Sequence, residues 1–124
     1  MEQLILHLLG DYVLQSDWMA TEKTKNTVAA LCHALVYSLP FALLTNSPMA
    51  WAVIAWTHFF IDRFRLPRFV VFAKNFMGWP WPTWADCSTT GYPSARPVWL
   101  TTWLLIAADN TIHLAINYSA LRWL

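Results

Sequence analysis

Charge is scarce in this 124-residue sequence. Seven Asp and Glu and eight Lys and Arg make up 12% of it, about half the roughly 25% of an ordinary soluble domain. The formal net charge is +1, and no basic stripe is present to neutralise a phosphate backbone, so there is no case for a nucleic-acid partner. Cysteine is nearly absent too. Cys32 falls in an apolar run and Cys87 in a polar loop, so the two make no disulfide framework and read as free thiols. The first residues lack a basic n-region, and "LILHLLGDYVL" puts His7 and Asp11 where a signal peptide would be plainly apolar. The length suits one domain, residues 1–124, and is short for two.

What the chain does hold is apolar. Hydrophobic residues form 57% of it, and nine residues are Trp, whose indole rings favour the membrane–water interface. Four apolar helical stretches are legible, at about residues 2–16, 27–45, 49–63 and 98–122. The second carries no formal charge and approaches the ~20 residues that cross a bilayer. Asn26 or Thr27 is placed to cap it, and Pro40 should kink it. Beyond Asp62, the bases Arg63, Arg65, Arg68 and Lys74 alternate with Phe, Leu and Val. Residues 64–77 therefore read as an interfacial amphipathic segment. The loop 78–97 holds too much Pro, Gly and Trp for a long helix.

These features set an expected fold: an all-α integral membrane four-helix bundle, with the interfacial segment between its third and fourth helices. Lys23 and Lys25 follow the first helix, and Arg63, Arg65, Arg68, Lys74 and Arg96 follow the third. Both groups fall on one side, which the positive-inside rule makes cytoplasmic. The expected location is the inner membrane, multi-pass, with the lipid bilayer as partner. The first helix is the weak member, short enough to be half-inserted. So little mass outside the membrane also raises the expectation of a homo-oligomer.

The polar residues inside these stretches carry the chemistry. Each stretch holds one of the four His. His7 precedes Asp11 by four residues, His58 precedes Asp62 by four, and Asp109 precedes His113 by four. His33 stands four before Tyr37, while Gln15 and Asn117 continue the first and last stripes. Residues four apart share a helix face, so four such stripes can converge in a bundle core. An unpaired Asp inside a membrane helix costs about 2.5–3.5 kcal/mol, so these carboxylates need partners. Mixed His and Asp in this number suit a divalent metal, zinc first, with manganese or iron as alternatives and room for one or two ions.

The expected metal ligands are His7, Asp11, His58, Asp62, Asp109 and His113. Asp62 can also serve as a base, and His33 can orient a ligand or protonate a leaving group. Gln15, Tyr37 and Asn117 would support the ligands, and Arg63 and Arg65 would grip an anionic headgroup. The expected function is a membrane-embedded metal-dependent hydrolase acting on an amphiphilic, lipid-like ester or phosphoester. Two other classes use the same residues. One is a non-enzymatic phage or prophage membrane factor acting on the host envelope or a membrane partner. The other is a small ion or proton conductor.

The strings "HLLGDYVLQSDWMA", "CHALVYSLPF", "THFFIDRFRLPRF" and "ADNTIHLAINY" together resemble a family of small bacterial and phage membrane proteins, known only as a domain of unknown function. The resemblance runs over nearly the whole chain and implies a helical membrane protein with no established chemistry. More loosely, the spaced His/Asp pairs are similar to those of inner-membrane metal-dependent hydrolases. That likeness implies His7, Asp11, His58, Asp62, Asp109 and His113 as metal-site residues.

Overall fold

Proline, a π-turn and buried polar residues break up the apolar stretches. In the computed structural model, which describes residues 1–78 and 81–124, the first stretch gives helix α1 (Glu2–Leu8) and then a π-helical turn, Leu9–Val13. Helix α2 (Asp17–Glu22) follows, its first turn capped by the Ser16 hydroxyl, which accepts from the Met19 amide at 3.3 Å. Helix α3 (Thr27–Ser38) is capped by Asn26, whose Oδ1 accepts from the amides of Val28 and Ala29. Pro40 does more than kink it. The helix stops at Ser38 and continues as a 3-10 turn, Leu39–Leu43, because proline removes a backbone donor and crowds the preceding turn. Helices α4 (Pro48–Phe64), α5 (Pro67–Phe76), α6 (Trp84–Cys87) and α7 (Val98–Trp123) complete the chain.

The expected integral membrane bundle is overturned here. Among the described residues, no helix is long and apolar enough to cross a membrane. The twelve residues of α3 rise about 18 Å and the seventeen of α4 about 25 Å, against a hydrocarbon core of about 30 Å. Helix α7 has the length, at 26 residues, but Asp109, Asn110, His113 and Asn117 lie within it. The transmembrane helices, the multi-pass inner-membrane location and the interfacial placing of residues 64–77 therefore have no support. Within the expected loop 78–97, residues 84–87 form α6; Trp79 and Pro80 lie outside the described residues.

The chain divides into two compact units, one of Met1–Phe64 with His113–Leu124 and the other of Arg65–Ile112. The first unit is built on α3 and α4. Ala30 and Ala34 of α3 pack on Phe59 near the end of α4, while Ser38 at the end of α3 meets Trp51 near the start of α4, so the two helices run antiparallel. Tyr37, Phe41, Ile54 and Ala120 form its main apolar core, with Leu6, Val53 and Leu121 against them. The Trp51 indole N–H closes the far end on the Ser38 carbonyl at 2.9 Å.

Gly10 matters to this packing. A Cβ there would stand 2.6 Å from Tyr37 Cδ2 and 3.2 Å from its Cα, so only glycine lets the π-turn lie directly against α3.

In the second unit, backbone carbonyls hold the polar side chains of α5 and the residues before it. Arg65 donates to the Thr89 carbonyl, Arg68 to that of Ser88, and Asn75 to that of Gly91. Gly91 has φ +82°, and a Cβ would lie 2.4 Å from the Arg68 carbonyl. Phe69 stacks on Trp84 with ring centroids 4.8 Å apart. Cys32 and Cys87 are both free thiols.

Candidate metal centre

Three segments of the first unit converge on one point. The π-turn supplies Asp11, α3 supplies His33, and one face of α4 supplies His58 and Asp62. All four residues are buried, the carboxylates at 7% exposure and the imidazoles at 0%. His33 Nε2 lies 2.9 Å from His58 Nε2, 3.2 Å from Asp11 Oδ1 and 3.1 Å from Asp62 Oδ2. His58 Nε2 lies 3.3 Å from each of the same two oxygens. The sixth separation, oxygen to oxygen, is within 4.8 Å.

Five of these six edges thus fall between 2.9 and 3.3 Å. A tetrahedron with all six edges in that range has a centre about 1.9 Å from each corner, and a longer sixth edge moves it outward, toward the roughly 2.0–2.2 Å of zinc bound to His nitrogen or carboxylate oxygen. Neither Asp11 Oδ1 nor Asp62 Oδ2 accepts a hydrogen bond of good geometry, although both atoms are buried. Buried carboxylate oxygens without aligned donors are rare, and a cation at the common centre would satisfy both. The cluster of Asp11, His33, His58 and Asp62 can hold a metal ion.

Without metal, a proton partly fills that role. Burial opposes charge on His58, but the Asp62 charge and the contacts with both carboxylates outweigh it and raise the ring to about 9. Burial would likewise raise Asp11, yet His33 and His58 hold it below the usual carboxylate range. For Asp62, too, burial is outweighed by the His58 charge and by contacts with His113, His33 and His58, leaving it well below that range.

Around the four ligands lies a set of orienting groups. His58 Nδ1 is 3.2 Å from His113 Nδ1, and His113 Nε2 is 3.3 Å from Asp62 Oδ1. A metal held by His58 Nε2 would leave that ring's proton on Nδ1, where it could donate to His113. His113 would then donate from Nε2 to Asp62 Oδ1, linking two residues that would hold the same ion. Tyr37 stacks on His58, with centroids 3.5 Å apart and planes 12° off parallel. Its hydroxyl accepts from Asn117 Nδ2 at 2.6 Å and lies 2.8 Å from His7 Nδ1.

Of the expected ligands, Asp11, His58 and Asp62 stand at the centre, joined by His33, to which sequence gave an acid or orienting role. His7 contacts Asp11 Oδ2 at 3.5 Å and the Tyr37 hydroxyl; His113 bridges His58 and Asp62. Asp109 lies one turn before His113, on the part of α7 in the second unit. Tyr37 and Asn117 lie beside the ligands, whereas Gln15 falls after the π-turn, off the helical stripe. The Arg63 guanidinium donates to the Thr24 carbonyl at 2.7 Å, and Arg65 belongs to the second unit.

Lys23, which in the sequence counts only toward the positive charge after the first helix, stands at the centre. Its Nζ lies 2.7 Å from Asp62 Oδ2 and 3.2 Å from His33 Nε2. No spacing rule links a residue at the end of α2 to α4, and nothing in the charged stretch around it, with Glu22 and Lys25 beside it, marks Lys23 for a buried partner.

A family model described as "Protein of unknown function (DUF3307)" matches residues 1–77. That span contains all four central ligands and Lys23, but not His113 or Asn117. No curated protein and no solved structure matches the chain.

Proposed function

The chain belongs to that family of unknown function, and we propose that it is a metal-dependent hydrolase with one divalent ion, zinc in first place, among Asp11, His33, His58 and Asp62. Five edges of 2.9–3.3 Å among the four donor atoms, two of them buried carboxylate oxygens that accept no well-aligned hydrogen bond, carry this reading. The four side chains would close a tetrahedron, so water would enter as an added ligand, but the donor set still favours a catalytic over a purely structural role. Structural zinc sites are built mainly on thiolates, whereas imidazole and carboxylate ligands are those of Lewis-acid sites. The cluster contains no Cys.

Held by these residues, such an ion would supply a Lewis acid that lowers the pKa of a bound water toward ~7. Asp62 is the carboxylate at that centre that would take the water's proton, and His113 and Lys23 position it from two sides. Water adds to an ester or phosphoester, the bond to the leaving oxygen breaks, and that oxygen leaves with a proton. His33, with Nε2 directed at the same centre, acts as ligand rather than as acid.

Metal analysis of the purified protein, paired with hydrolysis of p-nitrophenyl acetate and p-nitrophenyl phosphate, tests the reading. One ion per chain is expected, with activity lost in chelator and in Asp62→Asn. Stoichiometric metal without chelator-sensitive hydrolysis of either ester would leave a binding protein and remove the catalytic part.

A further inference from the structure

We infer that Lys23 is the anion-binding arm of this centre, and that the group it receives is a phosphoryl group rather than a neutral ester. The inference rests on the metal reading above and narrows its substrate.

Position comes first. Lys23 Nζ touches two of the four central atoms, Asp62 Oδ2 at 2.7 Å and His33 Nε2 at 3.2 Å. Its side chain is 20% exposed, against 9% or less for every ligand side chain in those contacts. Lys23 therefore marks the side from which a solute reaches the centre. The backbone around it is held in place: the Lys23 amide donates to the Met19 carbonyl at 3.0 Å, and Arg63 clamps the next residue through the Thr24 carbonyl.

Charge gives the direction. The carboxylates of Asp11 and Asp62 balance a divalent ion, and two neutral imidazoles add nothing. Among the four ligands and Lys23 the ammonium is then left over: a divalent ion and an ammonium against two carboxylates leave one positive charge on the more exposed side. Coordination also draws Asp62 Oδ2 toward the ion and weakens its hold on Lys23. An ammonium has three N–H donors and no acceptor, so it needs an anionic oxygen to replace what the ion takes. A phosphoryl group supplies several such oxygens, shared between ion and ammonium. A carboxylic ester supplies no charge.

Calorimetric titration of the zinc-loaded protein with inorganic phosphate tests this, in wild type, Lys23→Met and Lys23→Arg, with zinc content measured in each. Wild type is expected to bind phosphate. Lys23→Met should keep its zinc and lose phosphate affinity by about tenfold or more, the usual scale of a charged hydrogen bond, while Lys23→Arg should recover most of it. Equal phosphate affinity in wild type and zinc-loaded Lys23→Met overturns the role of Lys23. Zinc-loaded wild type that cleaves p-nitrophenyl acetate but binds no phosphate overturns it too and leaves the hydrolytic reading standing. Failure of wild type to retain zinc overturns both.

Discussion

His33 and His58 bring their Nε2 atoms to 2.9 Å from each other, although the two rings project from different helices. Imidazole nitrogens this close need a proton or a cation between them. The two carboxylate oxygens at 3.1–3.3 Å give that place a negative field. The same arrangement explains why His58 holds a proton so firmly in the metal-free chain.

Removal of either ring should show what that field costs. In His58→Ala, Asp11 and Asp62 face each other with less positive charge between them. Breaking a buried ion pair by deleting one partner destabilises by about 3–5 kcal/mol. Thermal unfolding of the metal-free variant at pH 6 should show a large drop in Tm, and metal binding should vanish. An unchanged Tm would mean that the ring is dispensable to the network.

The metal-free protein should respond to pH on both sides. The folded-state value of His58, about 9, lies above its ordinary 6.5, so its contribution is complete below pH 6.5 and is lost as pH rises through 9. Asp11 and Asp62 are depressed below their ordinary 3.8, so theirs is present above 3.8 and is lost as pH falls toward their folded values. Stability should peak between these limits. Metal must displace the His58 proton, so metal affinity should climb with pH up to about 9. Denaturant melts and zinc titrations from pH 5 to 9 check both trends; a metal affinity independent of pH would contradict them.

Tyr37→Phe keeps the ring that stacks on His58 and removes the hydroxyl that serves His7 and Asn117. Stranding buried polar partners costs about 1–3 kcal/mol. Loss of a group behind the ligands lowers metal affinity by roughly 10–100-fold. Competition with a zinc indicator measures the second effect, and an unchanged affinity would show that Tyr37 acts by packing alone.

Gly10→Ala drives a methyl into Tyr37, 2.6 Å from its ring edge. Overpacking of this kind costs about 1–3 kcal/mol, and here it displaces the turn that carries Asp11. Lower stability together with weaker metal binding is expected. Lower stability with unchanged metal affinity would separate Gly10 from the site.

Much of the site was legible because helical spacing is local. His58 and Asp62, four apart, share a face of α4, and His33 and Tyr37 share one of α3, as the period requires. The contributions of His7 and Gln15 were harder to read. A π-turn begins two residues after His7 and ends two before Gln15, so a straight stripe of three polar residues does not exist, and no propensity rule announces that turn. The role of Lys23 depends on tertiary folding between α2 and α4.

The fold was less legible than the site. Runs of apolar residues looked long enough to span a bilayer, yet residues 27–45 contain Pro40 and divide at Ser38. Composition weighed the greasy residues correctly but not the breaks between them. The expectation of membrane helices failed on length in α3 and α4 and on polar residues within α7, while the expectation of His and Asp brought together rested on periodicity that the breaks left intact within α3 and α4.

X-ray absorption at the zinc edge of protein loaded with one equivalent tests the centre most directly. Expected is one tightly held zinc per chain with four or five nitrogen and oxygen neighbours at about 2.0–2.1 Å, two of them with the outer-ring scattering of imidazole and none of them sulfur. Zinc that stays in exchange with buffer, or a shell containing sulfur from Cys32 or Cys87, would contradict it.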